Sequence, residues 1–550
     1  MIEQLRSLGD QLHAAWDTYH DQVHLTLQHY DQHIKAPHVH KISPEVTRQL
    51  DAELAFICSY ETKIRHTKAV VCRARNYLSG VATINTLPPE IITRIFHLAL
   101  EHPCDLHLRN ASNSRGIHFD YPGYLQTCAR WRKIAISSSS LWCHIDMSPH
   151  QRDYGKLLAR TQTFLARARG LPIELHISGN KDRPVDPTAQ GYNDVHELIS
   201  RISDRVETLD LTVTKNTQGF IRTALRQLLV GQHSGFKKLA IRSEEYYDVF
   251  ISPMDADSDA DSDLGERGDG PASLRLEVTE EQIETSFASL AVVHLFGIFP
   301  SWSSAAYSQL VDLRLMSTSE WSHIKVGELA KILESSPALQ ILHFGLELTS
   351  HVDVTPITLK DLRVVKIFTE ICTEIYPLPI RLLGLLAPGS KALRLSFNGR
   401  CMPGPILDPE TLGFLARSRV ERFYTQAFFP EMSIFLREAT DLEHVIFDGF
   451  RAYEWNMATS AWLAVSGFAS PSPHFGSLHI NRSSLSTNLL RFLVKCYPNS
   501  IVLSSCDVLH EVGEDTFVRL TPEEVSEMFP TVQVIDHPSE DPIADWDVLD

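Results

Sequence analysis

Apolar residues return at alternating steps of three and four along the first stretch of the chain, at Ile2, Leu5, Leu8, Leu12, Trp16, Tyr19, Val23, Leu27, Tyr30 and Ile34. That spacing predicts one long helix with a coiled-coil seam down one side. Pro37 breaks the pattern, and Ser43-Pro44-Glu45 then supplies a cap, a first-turn proline and an early carboxylate. The second helix repeats by sevens through Leu50, Ile57, Ile64, Val71 and Leu78. Two such helices can fold back as an antiparallel hairpin, and the same seam can pair with a second copy of the chain; the pattern serves both arrangements.

Between residues 86 and 142 the pattern changes. Leu87-Pro88-Pro89-Glu90 reads as a helix start, because proline suits the first turn and an early carboxylate complements the partial positive charge there. Ile91, Ile92, Ile95, Phe96, Leu98 and Ala99 then cover more of the helix than the one stripe a surface helix needs. Part of that surface can pack on 124–136, and the remainder is a candidate partner face. Beyond Trp142 a strand pattern, L-x-x-L-x-L, alternates with amphipathic runs. The strands fall at 206–211, 236–241, 290–295, 310–315, 339–344, 362–367, 442–447 and 475–480, with weaker copies at 393–395, 420–423 and 501–503. Helical runs lie at 220–230, 326–334, 379–386, 411–416 and 485–494, and 157–178 supplies a first helix and strand. Such units cannot bury their apolar faces alone and must stack.

In each strand the leucine-like residues point inward, so the residue between the last two faces the other way. From the third clear strand onward these residues are His294, Arg314, His343, Lys366, Arg394 and Tyr424, a predicted continuous row. Five of the six carry or can carry positive charge. The row suits an acidic or phosphorylated protein segment. A merely solvated face, or the chain's own acidic loop or tail, could occupy the same positions.

Composition narrows the rest. The 550 residues carry a net charge of −17, which argues against a general binder of nucleic acid or anionic membrane. Nine cysteines without a CxxC pair read as reduced thiols, and no signal peptide or membrane span is evident, so a cytoplasmic and/or nuclear protein is expected. Residues 254–270 hold seven carboxylates and one arginine and read as a disordered loop. A calcium loop fits poorly, because Ala260 stands where the turn needs glycine. His20 with His24, and His29 with His33, share helix faces but lack a third ligand, so no metal and no cofactor are expected. Trp455 and Trp462 read as packing residues. Nucleotide-binding and hydrolase signatures are absent, and the expected role is not catalytic.

The run Leu87-Pro88, Ile91, Ile95-Phe96, then Cys128, Trp131, Ala135, then Leu141-Trp142 resembles an F-box. The connection at 101–123 is longer than that of a compact F-box and is similar to the expanded loop of many fungal F-box proteins. The strand repeats resemble leucine-rich repeats, irregularly, with the expected asparagine clear only at Asn398. The resemblance implies an α/β chain: an N-terminal helical hairpin at 1–82, a small all-α F-box at 83–148, and an irregular leucine-rich-repeat solenoid at 149–537. That solenoid would have a curved parallel sheet and outer helices; composition places an acidic insert in it at 254–272 and an acidic, mobile tail after it at 538–550. The resemblance further implies a substrate adaptor of an SCF-type cullin-RING ubiquitin ligase. The Skp-family linker subunit would dock on Leu87, Pro88, Ile91, Ile92, Ile95 and Phe96, with Trp131, Leu141 and Trp142 as core or flanking contacts. The protein substrate would lie on the solenoid. A ligase-independent interaction scaffold is the alternative.

Overall fold

A computed structural model describes residues 2–34, 44–77, 83–99, 127–148, 154–179, 185–188, 191–230, 235–244, 249–254, 273–317, 323–349, 355–368, 381–399, 409–426, 435–436, 438–450, 476–496, 501–513, 516–535 and 543–548. The expanded connection at 101–123, almost all of the acidic insert, and Trp455 and Trp462 lie outside the described residues. The chain divides into two units, 1–94 with 122–134 and 95–121 with 135–550.

In the first unit, α1 (Ile2–Ile34) and α2 (Pro44–Tyr77) are the two heptad helices. They touch in antiparallel sense: Trp16 packs near Tyr60, Tyr19 packs near Phe56, and the Tyr19 hydroxyl donates to Glu53 at 2.6 Å. Of the other described seam residues, Val23 and Ile57 are half-buried, whereas Leu5, Leu8, Leu12, Leu27, Leu50, Ile64 and Val71 are exposed. Then α3 (Pro89–Ala99) starts at the predicted proline pair, with Glu90 in its first turn. Its N-terminal approach is tied down where the Arg130 guanidinium donates to the Leu87 carbonyl at 2.8 Å. The helix α4 (Ala129–Ser137) begins within the stretch expected to cover α3.

The second unit is mixed α/β and contains a fourteen-stranded sheet. Its strands are β1 (His144–Met147), β2 (Ile173–Ser178), β3 (Val206–Val213), β4 (Lys238–Ser243), β5 (Val292–Phe296), β6 (Asp312–Met316) and β7 (Ile341–Gly345). They continue with β8 (Val364–Phe368), β9 (Leu393–Asn398), β10 (Val420–Thr425), β11 (His444–Asp448), β12 (Ser477–Asn481), β13 (Ile501–Ser504) and β14 (Val532–Ile535). Within this sheet every strand lies beside the sheet strand that precedes it in sequence, all pairs are parallel, and the order never reverses. All eleven L-x-x-L-x-L strands are among them, as is the strand expected within 157–178, which is β2; β1 and β14 are additions.

Register explains the leucine pattern. Leu175, Leu209, Leu239, Val293, Leu313, Leu342, Val365, Leu395, Phe423, Val445, Leu478 and Ile501 are successive cross-strand partners. All are buried in one continuous core. Each such side chain contributes about 1.5–3 kcal/mol on burial. The helical runs expected at 220–230, 326–334, 411–416 and 485–494 are present, whereas 379–386 keeps one turn, Leu382–Leu385. No helix among the described residues is long and apolar enough to cross a membrane.

Candidate functional site

Residues between the buried positions project to the opposite face, and register aligns them in rows. One row runs His294, Arg314, His343, Lys366, Ser396, Tyr424, Ile446 across β5 to β11. His294, Arg314, His343, Lys366 and Tyr424 therefore stand as alternation predicted. Arg394 is a correction: it sits two residues earlier, opposite Val364 and Arg422, and Ser396 holds its place.

The row is covered by the chain's own C-terminal segment. Residues Ala544–Asp547 form one 3-10 turn. The Asp547 carboxylate lies 2.9 Å from Arg314, 3.1 Å from His343 and 3.0 Å from Lys366. Lys366 also donates to the Ile543 carbonyl at 3.3 Å. From the neighbouring row, Arg394 donates to the carbonyls of Trp546, Val548 and Asp545 at 2.7, 3.2 and 3.4 Å. Trp546 meets Tyr424 edge to face at 6.4 Å and, with Ile543 and Ile446, closes a small apolar cluster. The expectation of a mobile acidic tail is thus corrected over 543–548, because Ile543 and Trp546 are only 3% and 1% exposed.

Charges around the row are paired on both sides. Asp312, which faces the same way, accepts from Arg314 Nε at 3.0 Å and Nη2 at 2.8 Å and lies 2.9 Å from His294 Nε2. Burial opposes ionisation of Asp312, but the bonds from His294 and Arg314 outweigh it and bring its carboxyl down to about 2. Burial likewise opposes ionisation of Asp547, yet the His343 bond and the charges of Arg314 and Lys366 hold it well below the usual carboxylate range. His294 thus serves Asp312 and does not touch the tail in any bond described here. Further along, the buried Asp448 accepts from the Tyr424 hydroxyl at 2.6 Å and from Arg482 Nε at 2.8 Å, fixing the ring on which Trp546 rests.

The residues of the F-box-like segment divide by exposure. Ile92, Phe96, Leu141 and Trp142 are buried, Leu87, Ile95 and Trp131 are half-buried, and Pro88 and Ile91 are exposed. Leu98, seven residues after Ile91 and so on the same helix face, is also exposed. It belongs to the apolar surface expected of this helix and lies outside the expected docking set.

One cluster escaped the sequence reading. His144, Glu174 and His176 bring metal-ligand atoms within 4.8 Å of one another, because β1 and β2 pair His144 with Glu174. An alternating H-x-D in one strand and E-x-H in the next was the available signal. The contacts here are those of an ion-pair cluster: His144 Nε2 lies 2.9 Å from Asp146 and Nδ1 3.4 Å from Glu174. Burial opposes the charge on His144, but these bonds push its pKa up to about 9, so a cation would have to displace that proton to bind here. His176 is pushed down to about 4, first by burial and then by the His144 charge.

The pair gives a pH prediction. His144 contributes stability that is full below the ordinary value of 6.5 and is lost as pH rises through about 9. His176 contributes stability that is full above 6.5 and is lost as pH falls through about 4. The urea midpoint, followed by circular dichroism, should therefore include a bell-shaped component with its maximum near 6.5. His144→Gln should flatten the alkaline limb. A limb unchanged in that variant would show that the cluster does not hold the proton.

Neither a protein-family model nor any curated protein matches this chain.

Proposed function

We propose that this chain is the substrate-recognition adaptor of an SCF-type cullin-RING ubiquitin ligase. Its F-box-like segment would dock a Skp-family linker subunit, and the open face of its sheet would hold the protein to be ubiquitinated. The observation that carries the reading is the peptide already on that face: one turn of polypeptide held by Arg314, His343, Lys366, Arg394 and Tyr424. A strand order that follows the chain without reversal supports a leucine-rich-repeat-like stack of units, since a doubly wound sheet reverses at its ligand crevice. The free thiols of the described Cys58, Cys72, Cys128, Cys143 and Cys506 suit a cytoplasmic or nuclear setting.

Linker docking finds its support on α3. Ile92 and Phe96 anchor the helix by burial, leaving Ile91 and Leu98 exposed with half-buried Ile95 between them. In this reading the chain breaks no bond and acts by raising the local concentration of substrate at the ligase. The test is a pull-down of the full chain with purified Skp-family linker. Binding should be retained by wild type and weakened about 100-fold or more by Ile91→Asp with Leu98→Asp, which removes two central apolar contacts. Capture by neither protein would leave a ligase-independent scaffold, and equal capture by both would overturn docking through this face of α3.

A further inference from the structure

The tail contact has the composition of a recognition site as well as of an internal brace. Its apolar cluster takes Ile543 and Trp546, three residues apart and so on one side of a single turn. Its cationic locus takes Asp547 alone. Arg394 reads only backbone, through carbonyls at the C-terminal end of the turn. Asp545 and Val548 turn their side chains to solvent, so these positions impose little on sequence.

Charge decides what kind of anion fits. The permanent cations that reach Asp547 are Arg314 and Lys366, and Asp312 already neutralises one of them by its paired bonds to Arg314. His343, at 6% exposure, is held toward its neutral form by burial. One net positive charge remains, which matches one carboxylate and not a phosphate dianion.

We propose that the sheet face binds, in trans, an unmodified acidic peptide of the tail's own chemistry, with the tail as its built-in competitor. The peptide carries an aliphatic residue, a large aromatic three positions later and a carboxylate immediately after it. This rests on the reading of the sheet face as the substrate-holding surface, and it names what that surface selects.

A fluorescein-labelled peptide of residues 541–550, DPIADWDVLD, serves as the probe, with the full-length chain as receptor. Trp546→Ala with Asp547→Ala in the receptor disables the tail and should tighten probe binding at least tenfold, because a tethered tail competes at an effective concentration on the order of 1 mM. Asp547→Asn is the milder second variant, with a smaller gain in the same direction; circular dichroism verifies that each is folded. Adding Lys366→Glu to the tail-disabled protein should abolish binding, as should alanine at either the tryptophan or the following aspartate of the probe. Equal probe binding by wild type and both folded tail variants would overturn the proposal, as would indifference to Lys366→Glu. A probe with phosphoserine in place of the aspartate that follows the tryptophan and that bound tenfold tighter would reassign the face to phosphopeptides. The linker pull-down on the same variants separates the two readings: linker bound with probe rejected removes the peptide site alone.

Discussion

Replacing Trp142 by alanine should destabilise the second unit by about 3–5 kcal/mol, the range for emptying a buried tryptophan site. The side chain is 1% exposed, and its indole nitrogen donates to the Ala135 carbonyl at 2.7 Å. Phe164 meets it edge to face at 5.0 Å and the Arg167 guanidinium covers it at 4.2 Å. Because β1 is the edge strand of the sheet, no further strand stands behind it to absorb the cavity. Trp142→Phe keeps most of the apolar contact but loses the donor, and should cost about 1–2 kcal/mol. Urea titrations by circular dichroism read both, and an alanine variant within 1 kcal/mol of wild type would mean that the edge closes by other contacts.

The second large effect is expected at Asp448→Ala, at about 2–4 kcal/mol, since the change removes a buried carboxylate that joins Tyr424, Arg482 and Gln426. Burial works against this carboxylate, but the bonds from Arg482 and Tyr424 prevail and its pKa is lowered. Its contribution is therefore present above the ordinary carboxylate value and is lost as pH falls through the lower folded value. The gap in urea midpoint between wild type and variant should be widest at neutral pH and shrink in strong acid. A gap of constant size would point to lost packing in place of lost charge.

Much of this molecule could be read before its structure. The leucine triads mark strand positions because each inward side chain meets a like partner one strand away, and that burial is periodic in the sequence. Frame is harder. The run Leu393-Arg394-Leu395-Ser396-Phe397 satisfies alternation in two frames two residues apart, and only the pairing of Lys366 with Ser396 decides between them. Asp312 stands between the first two leucines of its triad, outside the single position that alternation takes from each strand, and Ile446 lies one strand beyond Tyr424, where the expected row ends. The tail was judged by its carboxylates, yet Ile543 and Trp546 stand one helical turn apart within it, which was the visible sign that it had an apolar side to bury. The residues of α3 were found by pattern, but only their burial separates Ile92 and Phe96 from Ile91 and Leu98.

The position of the covering segment at the far end of the chain also imposes an order in time. His343 and Asp547 are 204 residues apart. At about 5–20 residues per second of synthesis, the histidine leaves the ribosome roughly 10–40 s before its carboxylate partner. Lys366 and Arg394 follow His343 within the first part of that interval, and for the remainder the cationic row is complete in sequence but uncovered. If the face binds an acidic peptide as proposed, one present at the site of translation would meet the newborn protein without its competitor, whereas one arriving later would first have to displace a tethered rival.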